Sequence, residues 1–415
     1  MPSTLAKLNS NVARSLSAVS LHKVVQVAGL AATVALLPRL FGPEDYGRFA
    51  FVLSLSYLGQ ILGDFGTLDV LGRFVPGLSA AEAGQLYTRH LAFKLLVGAA
   101  CSVISMIAGM LLAEWLRLEW AALLGMGVFL HILGWVPYQF ALGLNRIGLW
   151  MSEQAWRQWA LLLLLLALLP PLRLTGALLA LLAMEIIFLG LGLWGVRAYW
   201  QPAQFRFDWP FLRPYINFGA GFFLANLTAV ALYRSGPLLI ESLTGDSVQT
   251  GYFNLALGLF MLAYVTIGQF AQSLIPGLSE LRQSGQSGAA RRWLANFVKV
   301  GWGLGVVGLA LVWLAADWAT PLVFGPKFTG AAAAFKWISL GFPLAVLLWA
   351  AGVAATVLGR GRLKFTASLA GLAVFVGLLA ALADFGAMGA AIALVAALAV
   401  NTLALAWGLW RRADG

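Results

Sequence analysis

Three carboxylates lie inside long apolar stretches of this sequence, where an ionised side chain is costly. Asp64 and Asp69 stand in the segment GDFGTLDVLGRF, and Glu185 stands between LLAM and IIFL. A carboxylate in such a place is expected to be protonated, paired with a cation or facing water. These properties suit a group that takes up and releases a proton or a small cation. We interpret the three as candidate ion-coupling residues. The alternatives are hydrogen bonding to a neighbouring helix for Asp64, and pairing with Arg73, one helical turn away, for Asp69.

Basic side chains form the second group with a recognisable chemistry, that of holding phosphate oxygens by charge-assisted hydrogen bonds. Some stand at the ends of apolar stretches, and others form short clusters between them. The candidates for this role are Arg234, Arg39, Arg48, Arg89, His90, Lys94, Arg291 and Arg292. The alternative is that these residues anchor helix ends at lipid headgroups, or pair with nearby acids.

Histidine and cysteine give no metal-binding pattern. The three histidines, His22, His90 and His131, are scattered along the chain, and Cys101 is the single cysteine. One cysteine excludes a disulfide within the chain. His131 is interpreted as an interhelical histidine, with a proton relay as the alternative. We therefore expect no metal and no cofactor beyond a coupling proton or Na⁺.

The composition is that of a polytopic membrane protein. Of the 415 residues, 61% are hydrophobic and only 10% are charged, whereas a soluble domain has about 25% charged residues. The net charge of +11 would suit a nucleic-acid binder. In a membrane protein the same excess arises because lysine and arginine concentrate in cytoplasmic loops. We therefore expect no nucleic-acid partner.

Twelve apolar segments are each long enough to cross a bilayer, which takes about 20 helical residues. They lie at 20–40, 48–70, 91–113, 120–143, 149–170, 175–197, 214–240, 250–274, 293–315, 333–357, 364–383 and 387–409. Residues 1–19 carry apolar side chains at helical spacing with basic residues between them, which predicts an amphipathic helix on the membrane surface. The predicted fold class is all-α and polytopic, with 12 transmembrane helices.

The basic residues predict the orientation of these helices. The membrane side that holds the N-terminus is called side A, and the opposite one is called side B. Side A carries 20 of the 27 lysines and arginines and side B carries seven. The positive-inside rule makes side A cytoplasmic, so both termini are predicted to be cytoplasmic.

A repeated pentapeptide relates the two halves of the chain. VPGLS stands at 75–79 and IPGLS at 275–279, after the second and eighth predicted spans. Six spans lie between them, and an even number returns the chain to the same side, so the halves are predicted to be parallel repeats. The predicted parts are an N-terminal lobe at 20–200, a cytoplasmic linker at 201–213 and a C-terminal lobe at 214–415. Proline and glycine in each copy predict that the chain turns there.

Three phrases of the sequence carry a family likeness. They are LPRLFGPEDYGRFAFVLSL (37–55), GDFGTLDVLGRFVP (63–76) and YRSGPLLIESLTGDSVQTGYFNLAL (233–257). Together they resemble the polysaccharide transporter family, the Wzx-type O-antigen flippases of the multidrug/oligosaccharidyl-lipid/polysaccharide exporter superfamily. The turn at 42–47 and the aspartate–x–glycine of Asp64 match that family. Tyr233 departs from it, since the family has an aspartate before the arginine that Arg234 matches.

The resemblance implies a V-shaped pair of six-helix bundles in the bacterial cytoplasmic (inner) membrane. It implies that the protein moves undecaprenyl-pyrophosphate-linked sugar, such as an O-antigen or exopolysaccharide repeat unit, to the outer leaflet. Ion coupling is implied as well, and the basic candidates named above are then predicted to bind the pyrophosphate group. The implied partners are this glycan and membrane lipid, with a glycan polymerase and a chain-length regulator as further partners.

The residues themselves also favour a transporter over an enzyme. No predicted loop is longer than about 20 residues, which leaves no room for a catalytic domain outside the membrane. Two parallel six-helix halves are an architecture for alternating access. Two alternatives stay open: a cation-coupled multidrug exporter of the same superfamily, and a non-transporting membrane scaffold of a glycan-assembly complex.

Overall fold

The computed structural model describes the backbone of residues 2–411, and the side chains of that range outside 2–21, 67–69, 220–222, 225, 276, 283 and 287. This part of the chain is helical, with short turns and 3₁₀ segments between the helices. The helices are α1 (Pro2–Phe41), α2 (Pro43–Leu62), α3 (Thr67–Phe74), α4 (Ala80–Leu112), α5 (Leu118–Gly143), α6 (Ile147–Gly195), α7 (Trp209–Thr244), α8 (Ser247–Ser273), α9 (Ile275–Gln283), α10 (Ser287–Phe324), α11 (Ala331–Ser339), α12 (Gly341–Val357), α13 (Gly361–Ala381) and α14 (Gly386–Trp410).

The predicted spans coincide with these helices. The second span is divided between α2 and α3, the fifth and sixth lie within α6, and the tenth is divided between α11 and α12, which are bent by 41°. Within the described residues, eight helices are long and apolar enough to cross a membrane, or nine if the bent pair counts as one span. The predicted all-α polytopic class is confirmed, and the helices are consistent with twelve crossings.

The helix α6 is a hairpin of two spans. Its backbone leaves the helical region at Arg173, with φ 50° and ψ −131°, just after Pro170 and Pro171. Two consecutive prolines remove backbone donors and break the helix there. The two arms then run antiparallel, because Leu149 near the start of α6 contacts Gly195 at its end.

The first compact unit comprises the chain up to Thr33 together with Leu55–Phe223. Its core is built from apolar faces of α3, α4, α5 and the start of α7. Tyr87 and Phe140 stack there at 4.7 Å between ring centroids, and both are fully buried. Burial of such large rings against each other is the main favourable term in a helix-packing core.

The second compact unit comprises Val34–Ser54 together with Leu224–Gly415. Its core joins α8, α11, α12 and α13 around the alanine-rich α14, where Phe260 and Phe342 stack at 6.0 Å. Small residues let helix backbones approach closely in a membrane. The segment Val34–Ser54 packs here by such an approach, since a Cβ added to Gly47 would lie 1.7 Å from the carbonyl oxygen of Ser247.

The compact units therefore divide the chain differently from the predicted lobes over Val34–Ser54. That segment belongs to the predicted N-terminal lobe but packs with residues of the C-terminal half. The predicted surface helix at 1–19 falls in the N-terminal part of α1, outside the described side chains, and its place on the membrane stays a prediction.

The two copies of the pentapeptide differ in local structure. In the first copy a 3₁₀ turn at Val75–Gly77 follows α3, and Ser79 then caps α4 through a capping box with Glu82. The second copy instead opens the short helix α9 at Ile275. Each copy follows the end of a helix. The first copy contains the predicted turn, because α3 ends just before it and Ser79, its last residue, caps the start of α4.

Candidate functional site

Four titratable side chains form a buried cluster in the first unit. Glu153, Arg157 and Glu185 lie on α6, and His131 lies on α5. Arg157 donates to Glu153 Oε1 at 3.0 Å and also donates to Glu185 Oε1. His131 Nδ1 lies 3.2 Å from Glu185 Oε2 and 2.8 Å from an Arg157 nitrogen. Glu153 and Glu185 are 2% and 4% exposed, so both carboxylates are buried, whereas the Arg157 and His131 side chains are partly exposed.

The cluster exists because the α6 hairpin folds its second arm back on its first. Glu153 and Arg157 stand one helical turn apart on the first arm, so their side chains meet on one face. The break at Arg173 then returns the chain and brings Glu185 opposite them. The second arm is held beside α5 by Tyr138, whose hydroxyl donates to the carbonyl oxygen of Phe188 at 2.8 Å.

The position of His131 gives the cluster two ways of holding one proton. Arg157 can only donate, so its contact with His131 Nδ1 requires that nitrogen to accept. If Glu185 carries a proton, its O–H competes with Arg157 for the single lone pair of the same nitrogen. If the imidazole is doubly protonated instead, Nδ1 donates to Glu185 and the contact with Arg157 must loosen. A single proton thus changes which contacts are favourable.

Charge balance favours uptake of that proton. With both carboxyl groups ionised and His131 neutral, the cluster has one negative charge more than Arg157 neutralises. An unbalanced charge in a buried site is costly, and binding one monovalent cation removes the excess. The guanidinium already stands between the two carboxylates, where a larger ion would need to bind. The geometry therefore suits a proton better than Na⁺.

Sequence reasoning selected Glu185 but missed two of its partners. His131 was interpreted as an interhelical histidine, and it does bridge α5 and α6. Glu153 and Arg157 were not proposed as members of a site. The available signal was their i, i+4 spacing inside a predicted span. Opposite charges at that spacing can form a salt bridge, which makes their burial in a membrane span less costly.

A second polar site surrounds the break between α2 and α3. Phe65 and Gly66 have left-handed backbones there, with φ of 49° and 72°. The Lys94 ammonium, from α4, donates to the carbonyl oxygens of Gly63 and Asp64, the latter at 2.7 Å. It thereby satisfies backbone groups that the broken helix leaves without an intrahelical partner. Asp64 itself is buried, and Asp69 lies outside the described side chains.

The first predicted basic cluster is buried and engaged inside the unit. Arg89, His90 and Lys94 are 6%, 1% and 3% exposed. Arg89 forms an ion pair with Asp208 at 2.8 Å and stacks 4.4 Å from the ring of Phe211. These contacts tie α4 to the segment before α7. Binding of pyrophosphate by this cluster stays a prediction.

The remaining basic candidates have different surroundings. Arg291 and Arg292 are exposed in the first turns of α10. Arg39 donates to the carbonyl oxygens of Leu322, at 2.9 Å, and Val323, at the end of α10, where unpaired carbonyls favour a cation. Arg48 pairs with Glu44 at 2.6 Å on its own helix.

Arg234 is half-buried in the second unit and interacts electrostatically with Tyr46. Of the predicted pyrophosphate-binding set, Arg89, His90 and Lys94 share one stretch of α4, and Arg291 and Arg292 are neighbours in α10. Among the described residues, no group of three or more His, Cys, Asp or Glu side chains is arranged to hold a metal ion.

Comparison with family models identifies one match. The model described as "Polysaccharide biosynthesis protein" matches residues 15–282, which is more than half of the chain. No curated protein matches the sequence significantly.

Solved structures with the same fold are membrane transporters. A lipid II flippase, MurJ, in an inward closed conformation aligns with a TM-score of 0.76 and 12% identity, over 94% of this chain and 87% of that chain. An inward-facing multidrug resistance transporter of the MATE family, in the MOP superfamily, aligns with a TM-score of 0.72 and 15% identity, over 94% of both chains. A MOP superfamily transporter from Pyrococcus furiosus aligns at 0.55 and 15%, over 96% and 92%. At these identities the likeness shows the fold alone.

Proposed function

Because this chain belongs to the polysaccharide biosynthesis protein family, we propose that it is a flippase for an undecaprenyl-pyrophosphate-linked oligosaccharide. It carries an O-antigen or exopolysaccharide repeat unit from the inner to the outer leaflet of the bacterial cytoplasmic membrane by alternating access. The family match is the observation that carries the substrate class. The fold shared with a lipid II flippase supports the same kind of cargo, a sugar headgroup on a lipid.

The physical task explains why such a carrier is needed. A pyrophosphate and its sugars would have to cross hydrocarbon, where even one charged group costs on the order of several kcal/mol. A protein lowers this barrier by replacing the hydration of the headgroup with polar and basic side chains. The lipid tails need not leave the bilayer during the same movement.

We assign ion coupling to the buried cluster of Glu153, Arg157, Glu185 and His131. One proton restores its charge balance, and the proton changes the contacts that join α5 to the two arms of α6. A ligand that alters helix contacts in this way can bias a two-state equilibrium. In this proposal the proton gradient drives export of the glycolipid.

Orientation follows the charge bias of the loops. Side A is assigned to the cytoplasm, with both termini, because it carries most of the basic residues. Membrane lipid and the glycolipid are the direct partners. A glycan polymerase and a chain-length regulator are the partners expected to use the exported product.

Reconstitution tests the proposal. Purified protein in liposomes receives a lipid-linked oligosaccharide with a fluorescent label on its sugar, and access of an external quencher to the label reports transfer. A proton gradient across the membrane is expected to accelerate transfer. Glu185→Gln is expected to reduce the acceleration that the gradient causes by about tenfold or more, because a neutral amide does not exchange a proton.

The matched control is Glu114→Gln, which changes the same functional group at an exposed position and should leave transfer unchanged. Absence of transfer by the wild-type protein, with or without a gradient, would contradict the flippase and favour a scaffold. Transport of an aromatic cation in place of the glycolipid would favour the multidrug exporter. A gradient response that survives in Glu185→Gln would contradict the coupling site.

A further inference from the structure

The second unit contains a cavity that the proposed coupling site does not use. Its volume is about 480 Å³, which lies in the range of about 300–1,000 Å³ typical of small-molecule sites. It is bordered by α7, α8, α9, α12, α13 and α14. All of the residues that line it belong to one compact unit, so the cavity is complete within that unit.

One wall of the cavity is aromatic. The rings of Tyr233 and Tyr264 lie 5.1 Å apart between centroids, and their hydroxyl groups are hydrogen-bonded to each other. Trp349 lies 5.3 Å from Tyr264, and its indole nitrogen donates to the Tyr264 carbonyl oxygen at 3.1 Å. These contacts hold the three rings in defined orientations. Rigid aromatic surfaces of this kind give contact area at low entropic cost.

Amides and hydroxyls complete the lining. The polar residues that contribute are Asn226, Gln272, Thr356, Ser368 and Asn401. Asn401 is 5% exposed, and its Oδ1 has no hydrogen-bond partner among the described residues. A buried acceptor without a partner is costly and unusual in a native structure. The oxygen itself is covered by protein atoms, so a hydroxyl or N–H donor on a bound molecule would satisfy it after a rotation of the Asn401 side chain toward the cavity.

The charge of the lining restricts the ligand further. Among the described lining residues, Lys364 is the one charged side chain, and no carboxylate is present. A site for a cation would need an acid or a set of oxygen ligands aimed at it. The lining therefore favours a neutral or acidic molecule that offers hydroxyl donors and an apolar face.

We propose that this cavity binds a sugar ring of the transported glycan. The C–H face of a sugar ring matches the wall of Tyr233, Tyr264 and Trp349, and its hydroxyl groups match Asn401 and the other polar lining residues. Lys364 favours a neutral or acidic sugar over an amino sugar that carries a free ammonium. This inference rests on the proposed flippase function and gives the glycan a binding place separate from the coupling cluster.

Gly352 offers a direct test, because it lines the cavity and a Cβ added there meets no atom within 4 Å. Gly352→Leu therefore fills the cavity without disturbing the backbone. Gly377→Leu is the matched control: this glycine also lies in a helix with no atom within 4 Å of an added Cβ, but it is not among the lining residues. A second pair of variants tests the polar lining. Asn401→Leu removes the unpaired acceptor, and Asn296→Leu, at an exposed position, is its control.

The measurement compares two lipids bound to full-length protein in nanodiscs. One is the undecaprenyl-pyrophosphate oligosaccharide extracted from cells that make this protein, and the other is undecaprenyl pyrophosphate without sugar. Gly352→Leu and Asn401→Leu are expected to weaken binding of the oligosaccharide lipid about tenfold or more, and to leave binding of the sugar-free lipid unchanged. The two control variants should bind both lipids as the wild type does.

Each other result contradicts the sugar site, the flippase proposal or both. Wild-type affinity for the oligosaccharide lipid in both cavity variants overturns the sugar site and leaves the flippase proposal standing. Equal weakening for the two lipids also overturns it, since the cavity would then not read the sugar. Failure of the wild-type protein to bind either lipid overturns the proposed function, and the sugar site with it.

Discussion

The cluster around Glu185 joins α5 to both arms of α6 through charged side chains, and it is the site that we propose for ion coupling. Two carboxylates share Arg157 in a buried setting. A buried ion pair adds little net stability over a well-packed apolar group, but removing one partner leaves the others uncompensated. The cluster is therefore sensitive to the number of charges and to the number of protons that it holds.

Replacing Arg157 by methionine tests this balance. Arg157→Met keeps an unbranched apolar stem but leaves Glu153 and Glu185 without their cation, so we expect a loss of about 3–5 kcal/mol in folding stability. Thermal unfolding of the purified protein in detergent measures the effect. Arg213→Met, at an exposed position, is the control. The triple variant with Glu153→Gln and Glu185→Gln should recover part of the loss, and a recovery of zero would contradict a charge-balance role.

Lys94 illustrates a different use of a buried cation. Its ammonium binds two backbone carbonyls at the break after α2, so the charge supports an irregular piece of backbone. Irregular backbone at membrane depth is tolerated where protein groups satisfy it. The sequence placed Lys94 in a phosphate-binding cluster, whereas its described contacts are with this backbone.

Among the secondary-structure elements, the breaks in the helices show most clearly why a position requires a particular residue. The break between α2 and α3 brings Gly66 against Gly219 of α7: a Cβ added to Gly66 would lie 2.0 Å from the Gly219 carbonyl oxygen. Gly66 also has a left-handed backbone, with φ 72°. Two independent constraints thus require glycine at one position.

Gly66→Ala is expected to lower stability strongly. The left-handed backbone alone costs about 1–3 kcal/mol with a side chain present, and the overlap with backbone atoms adds to this cost. The yield of folded protein and its unfolding temperature measure the loss. Gly77→Ala is the control, because an added Cβ there meets no atom within 4 Å and φ is not positive. Equal stability of the two variants would contradict the close approach.

At the scale of the whole molecule, the basic residues predict the direction in which the chain crosses the membrane. The predicted orientation places Lys327 on side B, outside the cytoplasm, and Arg206 on side A. Both residues are exposed. The single cysteine of the chain, Cys101, is buried, so engineered cysteines can be labelled over a low background.

Labelling of variants with one added cysteine, using a membrane-impermeant maleimide, measures this orientation. Lys327→Cys is expected to react in intact cells, and Arg206→Cys is expected to react only after the membrane is permeabilised. Wild-type protein provides the background from Cys101. The reverse pattern would contradict the assignment of side A to the cytoplasm.

Some of these features follow from the sequence because they depend on local composition. The length of an apolar run predicts a helix that spans a membrane, and every predicted span coincides with helical residues. For the same reason Glu185 was predicted to be protonated, paired or facing water, since burial of a carboxylate is costly wherever it occurs. Breaks at Pro170 and Pro171 are likewise local effects of proline.

Other features required the tertiary structure because they depend on residues far apart in the chain. Hydropathy does not tell which helices adjoin, so it did not group Arg157, Glu153 and His131 with Glu185, or Val34–Ser54 with the second unit. The same holds for Tyr233, Tyr264, Trp349 and Asn401, which come from four helices and line one cavity. Apolar run length and the positions of charged residues are enough to predict the helices and the places where charge is costly. Only the packing of those helices decided which charges pair and which polar groups face an open space.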